Sequence, residues 1–431
     1  MRAATDKQAV AAYAEEVLAG TGWEVTGVHR RGTRLEPPDS YWSVLSIDIN
    51  KEEEERELRL VAKGALNPPA WERLSARMSR LGAGGPVDPL NGIGTPRLFP
   101  ETQHAYWFYP FDPSMPYLAD ASDPAKVATV LAGGFNPEVA RRLDIQRIRY
   151  MPEIVGILRF TIDFPGLPAR IFGKVQPGGR GLRAMKVVQG LWRAAAKYPG
   201  YLNLPRPLGY VEDMGMMLEE AVKGRPVSGK RTSAEFEMCG TAAAEAIAVI
   251  HESDVTTDIT IDIEREIARL GRVMEQFAYV LPEGHFLLKD LIAHMRERIR
   301  KTPEETFLPT HGDLKYDQFL FHNDTFTLLD FDYFAMAETS YDLGKFTGYL
   351  VPSQPKDWSQ SAAAEEVREI FIRRYRELRP HATMQRFQVY EALSLALRAM
   401  AYMWTQLPGW EQGAEAFLVL AYERLKSRLP E

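Results

Sequence analysis

The stretch from Thr310 to Leu343, THGDLKYDQFLFHNDTFTLLDFDYFAMAETSYDL, limits what this chain can fold into more than any other. Two short apolar runs, FLFH and TFTLL, are separated by Asn323-Asp324. Asn and Asp tolerate the left-handed backbone of a tight turn, so the segment reads as a two-strand hairpin. A hairpin is a rigid spacer that brings the chain back to where it started. The loop before it carries Asp313 in His311-Gly312-Asp313, and the loop after it carries Asp330 and Asp332 around Phe331. These two acidic loops are therefore expected to meet, with the amide of Gln318 between them.

A chain of 431 residues with 45% hydrophobic content can bury a full core and divide into two or three units. A net charge of -6 and a pI near 5.9 leave no basic footprint for nucleic acid. The one cysteine, Cys239, excludes an internal disulfide framework, suits a reducing cytosol and reads as a small buried hydrophobe on an Ala-rich helix. The N-terminal MRAATDKQAVAAYAEEVLAG is an amphipathic helix without the apolar core of a signal peptide. No apolar run is long enough to span a membrane. The expectation is a cytoplasmic protein with no membrane and no nucleic-acid partner.

The element pattern is α+β. After the first helix, TGWEVTGVHRR, YWSVLSIDIN and ELRLVAKGAL read as strands, PPAWERLSARMSRL as a helix, and TPRLFPETQHAYWFYPFDP as two more strands. The acidic run Glu52 to Glu55 reads as a solvated hairpin end, because consecutive carboxylates on a strand point to opposite faces. Residues 119–142 read as a connecting helix capped by Ser122 or Asp123 and stopped at Gly133-Gly134. A second module repeats the outline: LDIQRIRYMP, IVGILRFTIDF and ARIFGKVQ as strands, RGLRAMKVVQGLWRAAAKYP as a helix, RPLGYVED and GMMLEEAV as strands. From about 227 the apolar spacing is helical. The expected divisions are 1–118, 119–225 and 226–431, with the two strand-rich modules pointing to a duplication.

Transfer of a phosphoryl group to a hydroxyl needs a carboxylate to take or orient the proton, hard oxygen ligands for divalent metal, and a cation on the other phosphates. Asp313 suits the first task, and Asp330 with the amide oxygen of Gln318 the second. Asp332 lies two residues past Asp330 and on a strand would share its face, as a further or outer ligand. Lys174 suits the third; Lys63, in Val-Ala-Lys of the first module, is the lesser candidate. His311 reads as a brace that bonds backbone near the metal aspartate, Asp342 as the anchor of a helix behind the site, and His251 as a packed helix-end residue.

At these residues the chain resembles a known family. HGDLKYDQFLF, LLDFD and TSYDLGKF, with LRFTID, IFGKVQ, LEEAVKGRPV and AIAVIHES upstream, resemble the aminoglycoside phosphotransferase and choline kinase superfamily. They resemble in particular a bacterial branch with glutamine in place of the catalytic-loop asparagine. The likeness covers roughly 143–350, and FYPFDPSMPYL resembles the segment that precedes it in that branch. The resemblance implies a protein-kinase-like two-lobe fold, here with an added N-terminal α/β module, and ATP- and magnesium-dependent phosphorylation of a small-molecule hydroxyl. It implies Asp313 as base, Gln318 and Asp330 as magnesium ligands, and Lys174 as the phosphate lysine. The adenine would lie against backbone groups of the hinge Glu219, Glu220, Ala221 and Val222.

Three features depart from that pattern. Gln318 stands where asparagine is common. The loop 149–156 has no glycine-rich pattern, and Glu153 within it would repel phosphates if turned inward. The helix after Lys174 has no glutamate; Gln189 is the nearest substitute within it, and Glu212 lies beyond. A competing reading is thus a catalytically weak pseudokinase that binds nucleotide as a scaffold or sensor. A protein kinase fits less well, with no His-Arg-Asp and little chain between Asp330 and Asp342. Aminoglycoside acceptors would call for an acidic pocket, to which Glu264, Glu411 and Glu415 are candidates; sugars and amino alcohols are equally open.

Overall fold

The computed structural model describes residues 5–36, 38–92, 94–134, 136–227, 233–352, 361–405 and 409–427. The chain divides into two compact units, Met1–Leu182 with Leu208–Glu220, and Arg183–Pro207 with Ala221–Glu431. The N-terminal module and the second strand-rich module therefore share one unit.

In the first unit, α1 (Lys7–Leu18) is capped by Asp6, whose carboxylate accepts the amides of Gln8 and Ala9. The strands β1 (Glu24–Glu36), β2 (Ser40–Lys51) and β3 (Glu54–Ala65) form a meander, and α2 (Pro68–Arg80), β4 (Arg97–Phe99) and β5 (His104–Phe108) follow. Their sheet order is β1-β2-β3-β5-β4. One face buries Val10, Tyr13 and Leu18 of α1 against Leu45, Ile47 and Leu60. The other buries Leu74 and Met78 of α2 against Trp42, Val44, Val61 and Trp107. Cover on both faces explains why β2 is buried almost throughout despite its alternating sequence. Glu52 to Glu55 are exposed at the β2–β3 turn, as expected.

The expected connecting helix is three short ones: α3 (Leu118–Ala121), α4 (Pro124–Leu131) and α5 (Pro137–Arg141). Pro124 and Pro137 cannot continue a helix and instead start new ones, capped by Asp123 and Asn136. A second five-stranded sheet follows, from β6 (Leu143–Met151), β7 (Val155–Ile162), β8 (Arg170–Val175), β9 (Pro207–Val211) and β10 (Met216–Glu220). Its order, β6-β7-β8-β10-β9, is that of the first sheet, and α6 (Arg180–Ala195) occupies the place of α2. Leu118, Ala121, Val127 and Val139 of the connecting helices pack on Leu158, Phe160 and Met216. The whole of 149–156 belongs to strands and turn rather than to an open loop, since β6 and β7 are joined by residues 152–154 alone.

The second unit takes most of α6 through its segment Arg183–Pro207 and resumes with β11 (Arg225–Pro226) and the long helix α7 (Ser233–Glu252), in which Cys239 is fully buried. The helices α8 (Ile263–Val280) and α9 (Pro282–Lys301) lead to β12 (Phe307–Thr310), β13 (Phe319–His322), β14 (Thr325–Leu328) and β15 (Ala335–Glu338). The chain continues through α10 (Ser340–Leu350), α11 (Ser361–Leu378), α12 (Phe387–Thr405) and α13 (Trp410–Lys426). The core of this unit lies between α8, α9, α12 and α13, where Phe277, Leu288, Met295, Leu395 and Phe417 are buried. Among the described residues no helix is long and apolar enough to cross a membrane.

Candidate active site

The hairpin forms in the expected register. Phe319 faces Leu328 and His322 faces Thr325, with Asn323 and Asp324 at φ 47 and 56, the left-handed pair of a two-residue turn. At its open end the Leu329 amide donates to the Gln318 carbonyl at 3.0 Å. The two loops meet there: His311 Nε2 donates to the Leu329 carbonyl at 3.0 Å, next to Asp330. That bond fixes the tautomer, because a carbonyl can only accept, and it leaves Nδ1 to take the Asp313 amide at 3.4 Å. His311 is the brace the sequence suggested.

Two further devices shape the first loop. Gly312 has φ +82, and a Cβ on it would lie 1.8 Å from the Tyr333 carbonyl oxygen, so no other residue fits this turn. The carboxylate of Asp342, near the start of α10, accepts the amides of His311 at 2.7 Å and Gly312 at 3.0 Å. Asp342 is thus more than a helix anchor, since it holds the backbone of the His311–Asp313 loop directly. Behind it His251 Nε2 lies 3.6 Å away and Nδ1 pairs with the Tyr375 hydroxyl at 2.8 Å.

Asp313 itself is held between two ammonium groups, Lys315 Nζ at 2.7 Å from Oδ2 and Lys345 Nζ at 3.0 Å from Oδ1. Burial alone would raise its pKa, but Lys345 and Lys315 outweigh burial and hold the carboxyl below its usual range. Burial in turn disfavours a charged Lys315, and Asp313 reverses that. Gln318 is buried. Its Nε2 donates to Asp313 Oδ2 at 3.3 Å, while its buried Oε1 has no hydrogen-bond partner among the described residues. A buried carbonyl-type oxygen without a donor is costly unless something electropositive engages it. Asp330 sits at φ 70, a backbone conformation that non-glycine residues adopt at a cost and that collects at functional sites. Asp332 is half-buried two residues on.

Among the described residues no three His, Cys, Asp or Glu side chains cluster into an all-protein metal cage. Magnesium asks for less. It is commonly held by one or two carboxylates with the rest of its octahedron supplied by phosphate and water. The donor set of Asp330, Asp332 and the orphaned Gln318 oxygen suits that cation.

The other expected residues lie in the first unit or where the chain leaves it. Lys174 is near the end of β8, opposite Ile157 of β7 and Met217 of β10. Gly173 beside it has no room for a side chain, since a Cβ would meet Met216 and Phe160 at 2.6 Å. Glu219 and Glu220 end β10, and the chain passes from one unit to the other between Glu220 and Ala221, with Val222 following in extended coil. Glu153, which the sequence left as a threat to bound phosphate, is tied down by the N-terminal module. Its carboxylate pairs with Lys63 and Arg77, and its amide donates to Asp112 Oδ2 at 2.9 Å.

Sequence reasoning missed Lys345 and the pairing of Lys63 with Glu153. Lys315 was in plain view two residues from Asp313, but nothing in the spacing said it would fold back. Lys345 comes three residues after Asp342 on a helix, a signal usable only once Asp342 was known to lie against the loop.

A model of the phosphotransferase enzyme family matches residues 189–390, a little under half of the chain. No curated protein matches it in sequence. Among solved structures it is similar to a putative aminoglycoside phosphotransferase from Ralstonia eutropha JMP134, with 15% identity, a TM-score of 0.48, and coverage of 66% of this chain and 92% of that one. It is also similar to the choline kinase of Cryptosporidium parvum Iowa II, with 14% identity, a TM-score of 0.46 and coverage of 66% and 90%. A wild-type aminoglycoside 2'-phosphotransferase solved with GDP gives 14%, 0.44, and 65% and 92%. Residues 189–390 thus carry the pattern of the phosphotransferase enzyme family.

Proposed function

We propose that this chain is a cytoplasmic small-molecule kinase that transfers the γ-phosphoryl group of ATP to a hydroxyl of its acceptor. The observation that carries the reading is the divided amide of Gln318, whose nitrogen holds Asp313 and whose buried oxygen has no partner among the described residues. One side chain thereby ties a carboxylate suited to a hydroxyl proton to an oxygen suited to a cation. Asp313, kept ionised by Lys345 and Lys315, orients the acceptor hydroxyl and takes its proton as the new bond forms. Asp330, Gln318 and Asp332 would hold magnesium, which would supply positive charge against the triphosphate. Lys174 carries the charge of the non-transferred phosphates, and backbone groups of Glu219 to Val222 receive the base. In this reading 1–118 supports the nucleotide-binding segment 119–225, and 226–431 carries the chemistry.

The test is calorimetric binding of ATP with magnesium, followed by release of ADP from wild type and from Asp313→Asn. The variant is expected to bind ATP within a few fold of wild type and to lose roughly 10²–10⁴ in turnover. Binding without turnover in the wild-type protein would instead favour the nucleotide-sensing scaffold. No binding at all would remove both readings.

A further inference from the structure

The groups around Asp313 carry a charge that bears on the acceptor. Lys315 and Lys345 touch its two oxygens, so the base and its immediate partners sum to a formal +1. Both ammonium groups lie 5.2 Å from the ring centre of Tyr349, on the last turn of α10, and the guanidinium of Arg398 on α12 lies 5.1 Å from the same centre. Arg398 is buried, fastened to the carbonyls of Gly348 at 2.6 Å and Val351 at 2.7 Å. Three cations thus face one half-buried ring beside the catalytic carboxylate. Asp317, which also favours the charged forms of Lys315 and Arg398, is exposed. The glutamates that an aminoglycoside pocket would need do not offset them: Glu264 is exposed on α8, and Glu411 and Glu415 lie on α13.

A triphosphate arrives with its own divalent cation, so it does not call for two lysines on the base. Resting on the phosphotransferase reading above, we propose that the acceptor is an anionic hydroxyl compound, with a carboxylate or phosphate near the receiving hydroxyl, and that Lys345 binds that anion. In the reaction the acceptor oxygen forms the new bond to the γ-phosphorus. The bond to the bridging oxygen breaks with its electron pair leaving on ADP, and the hydroxyl proton passes to Asp313. A polycationic acceptor would meet like charge at the point of reaction.

The full chain is incubated with γ-labelled ATP, magnesium and hydroxyl metabolites pooled by charge. The anionic pool holds hydroxy acids in one arm and sugar phosphates in the other, the neutral pool holds sugars and polyols, and the cationic pool holds choline and kanamycin. Label is expected in one anionic arm and not in the cationic pool. Lys345→Gln is expected to lower kcat/KM for the labelled anion by at least about tenfold, mostly through acceptor KM. Lys345→Arg, which keeps the charge, is expected to recover most of it, and melting curves of both variants check that they fold. Label in the cationic or neutral pool alone overturns the inference and leaves the kinase reading standing. So does ATP hydrolysis with no anion labelled, or a Lys345→Gln effect on the KM of ATP with acceptor KM unchanged. Absence of ATP hydrolysis as well removes the reading on which the inference rests.

Discussion

The two five-stranded sheets of the first unit share one plan, and the lysine of the first is tied to a turn of the second. Each is a three-strand meander, a helix, a strand, a 3-10 turn and a last strand, in the order 1-2-3-5-4. Even the turns correspond: Pro100–Thr102 closes on Gln103 at φ 52, and Glu212–Met214 closes on Gly215 at φ 54. Lys63 on β3 faces Ala105, and Lys174 on β8 faces Met217, in each case the second residue of the sheet's final strand in the chain. The duplication suggested by the sequence outline therefore extends to the register of the lysines. Lys63 pairs with Glu36 at the end of β1, at 3.3 Å, and with Glu153 in the β6–β7 turn. The lysine of the first sheet that corresponds in register to Lys174 thus serves to fasten a turn of the second.

The fastening goes beyond one ion pair. Asp112 is fully buried, and burial pushes its carboxyl pKa up, against which the amides of Glu153 and Ser114 and the Tyr150 hydroxyl favour the ionised form. Tyr150 in turn accepts from the Trp107 indole at 3.2 Å. Glu153 holds φ 62, which costs energy unless its surroundings over-determine it. The lesson is that the partners of a lysine, and not its place in a repeated plan alone, decide what its charge holds together.

The comparison breaks most visibly at the lysines themselves. Lys174→Met is expected to lower kcat/KM for ATP by roughly 10²-fold or more, the scale of a lost electrostatic contact to reacting phosphates. Lys63→Met is expected to stay within about tenfold, through KM. Equal losses in steady-state kinetics would mean that the two lysines share one role.

A smaller effect is expected on stability. Lys63 and Glu153 have side chains only 12% and 11% exposed, so removing one leaves the other's charge uncompensated. Glu153→Gln should cost about 2–4 kcal/mol in denaturant unfolding. Adding Lys63→Met should cost less than the sum of the single changes. Additivity would show that the pair is not coupled, leaving Arg77, the more exposed partner, as the tie.

The smallest expected effect is a pH dependence confined to the first sheet. His104 on β5 stands where β10 has Met216, paired with Gly64 and Val175 respectively. Burial lowers the His104 pKa to about 4, below its unfolded value of about 6.5. The unfolded chain then binds the proton more readily, so stability is full above about pH 6.5 and falls as pH drops toward 4. Melting temperature should decline between pH 7 and pH 5, and His104→Met should flatten part of that decline. An unchanged pH profile in the variant would assign the decline to other groups.

Much of this was legible in the residues. Alternation and punctuation located the strands of both sheets, and Asn323-Asp324 identified a hairpin whose ends had to bring Asp313 and Asp330 loops together. These are local properties, set by backbone preference and turn chemistry. The connecting segment is three helices rather than one because Pro124 and Pro137 each start a new one, capped by Asp123 and Asn136. The environment of Asp313 was illegible for another reason: Lys345 lies more than thirty positions away, and its approach depends on where Asp342 seats α10.

Determined by the sequence alone were the hairpin, the meeting of its two flanking loops and the repeated plan, because the necessary residue types stand at short spacings within motifs. Decided only by the tertiary structure were which charges meet. Glu153 is a fastened residue and not a repulsive one because Lys63, ninety positions earlier, folds onto it. The Thr310–Leu343 loop faces a cationic surround because α10 and α12 deliver Lys345 and Arg398 to one ring. Electrostatic energy depends on distance and burial, and neither is a property of position along a chain.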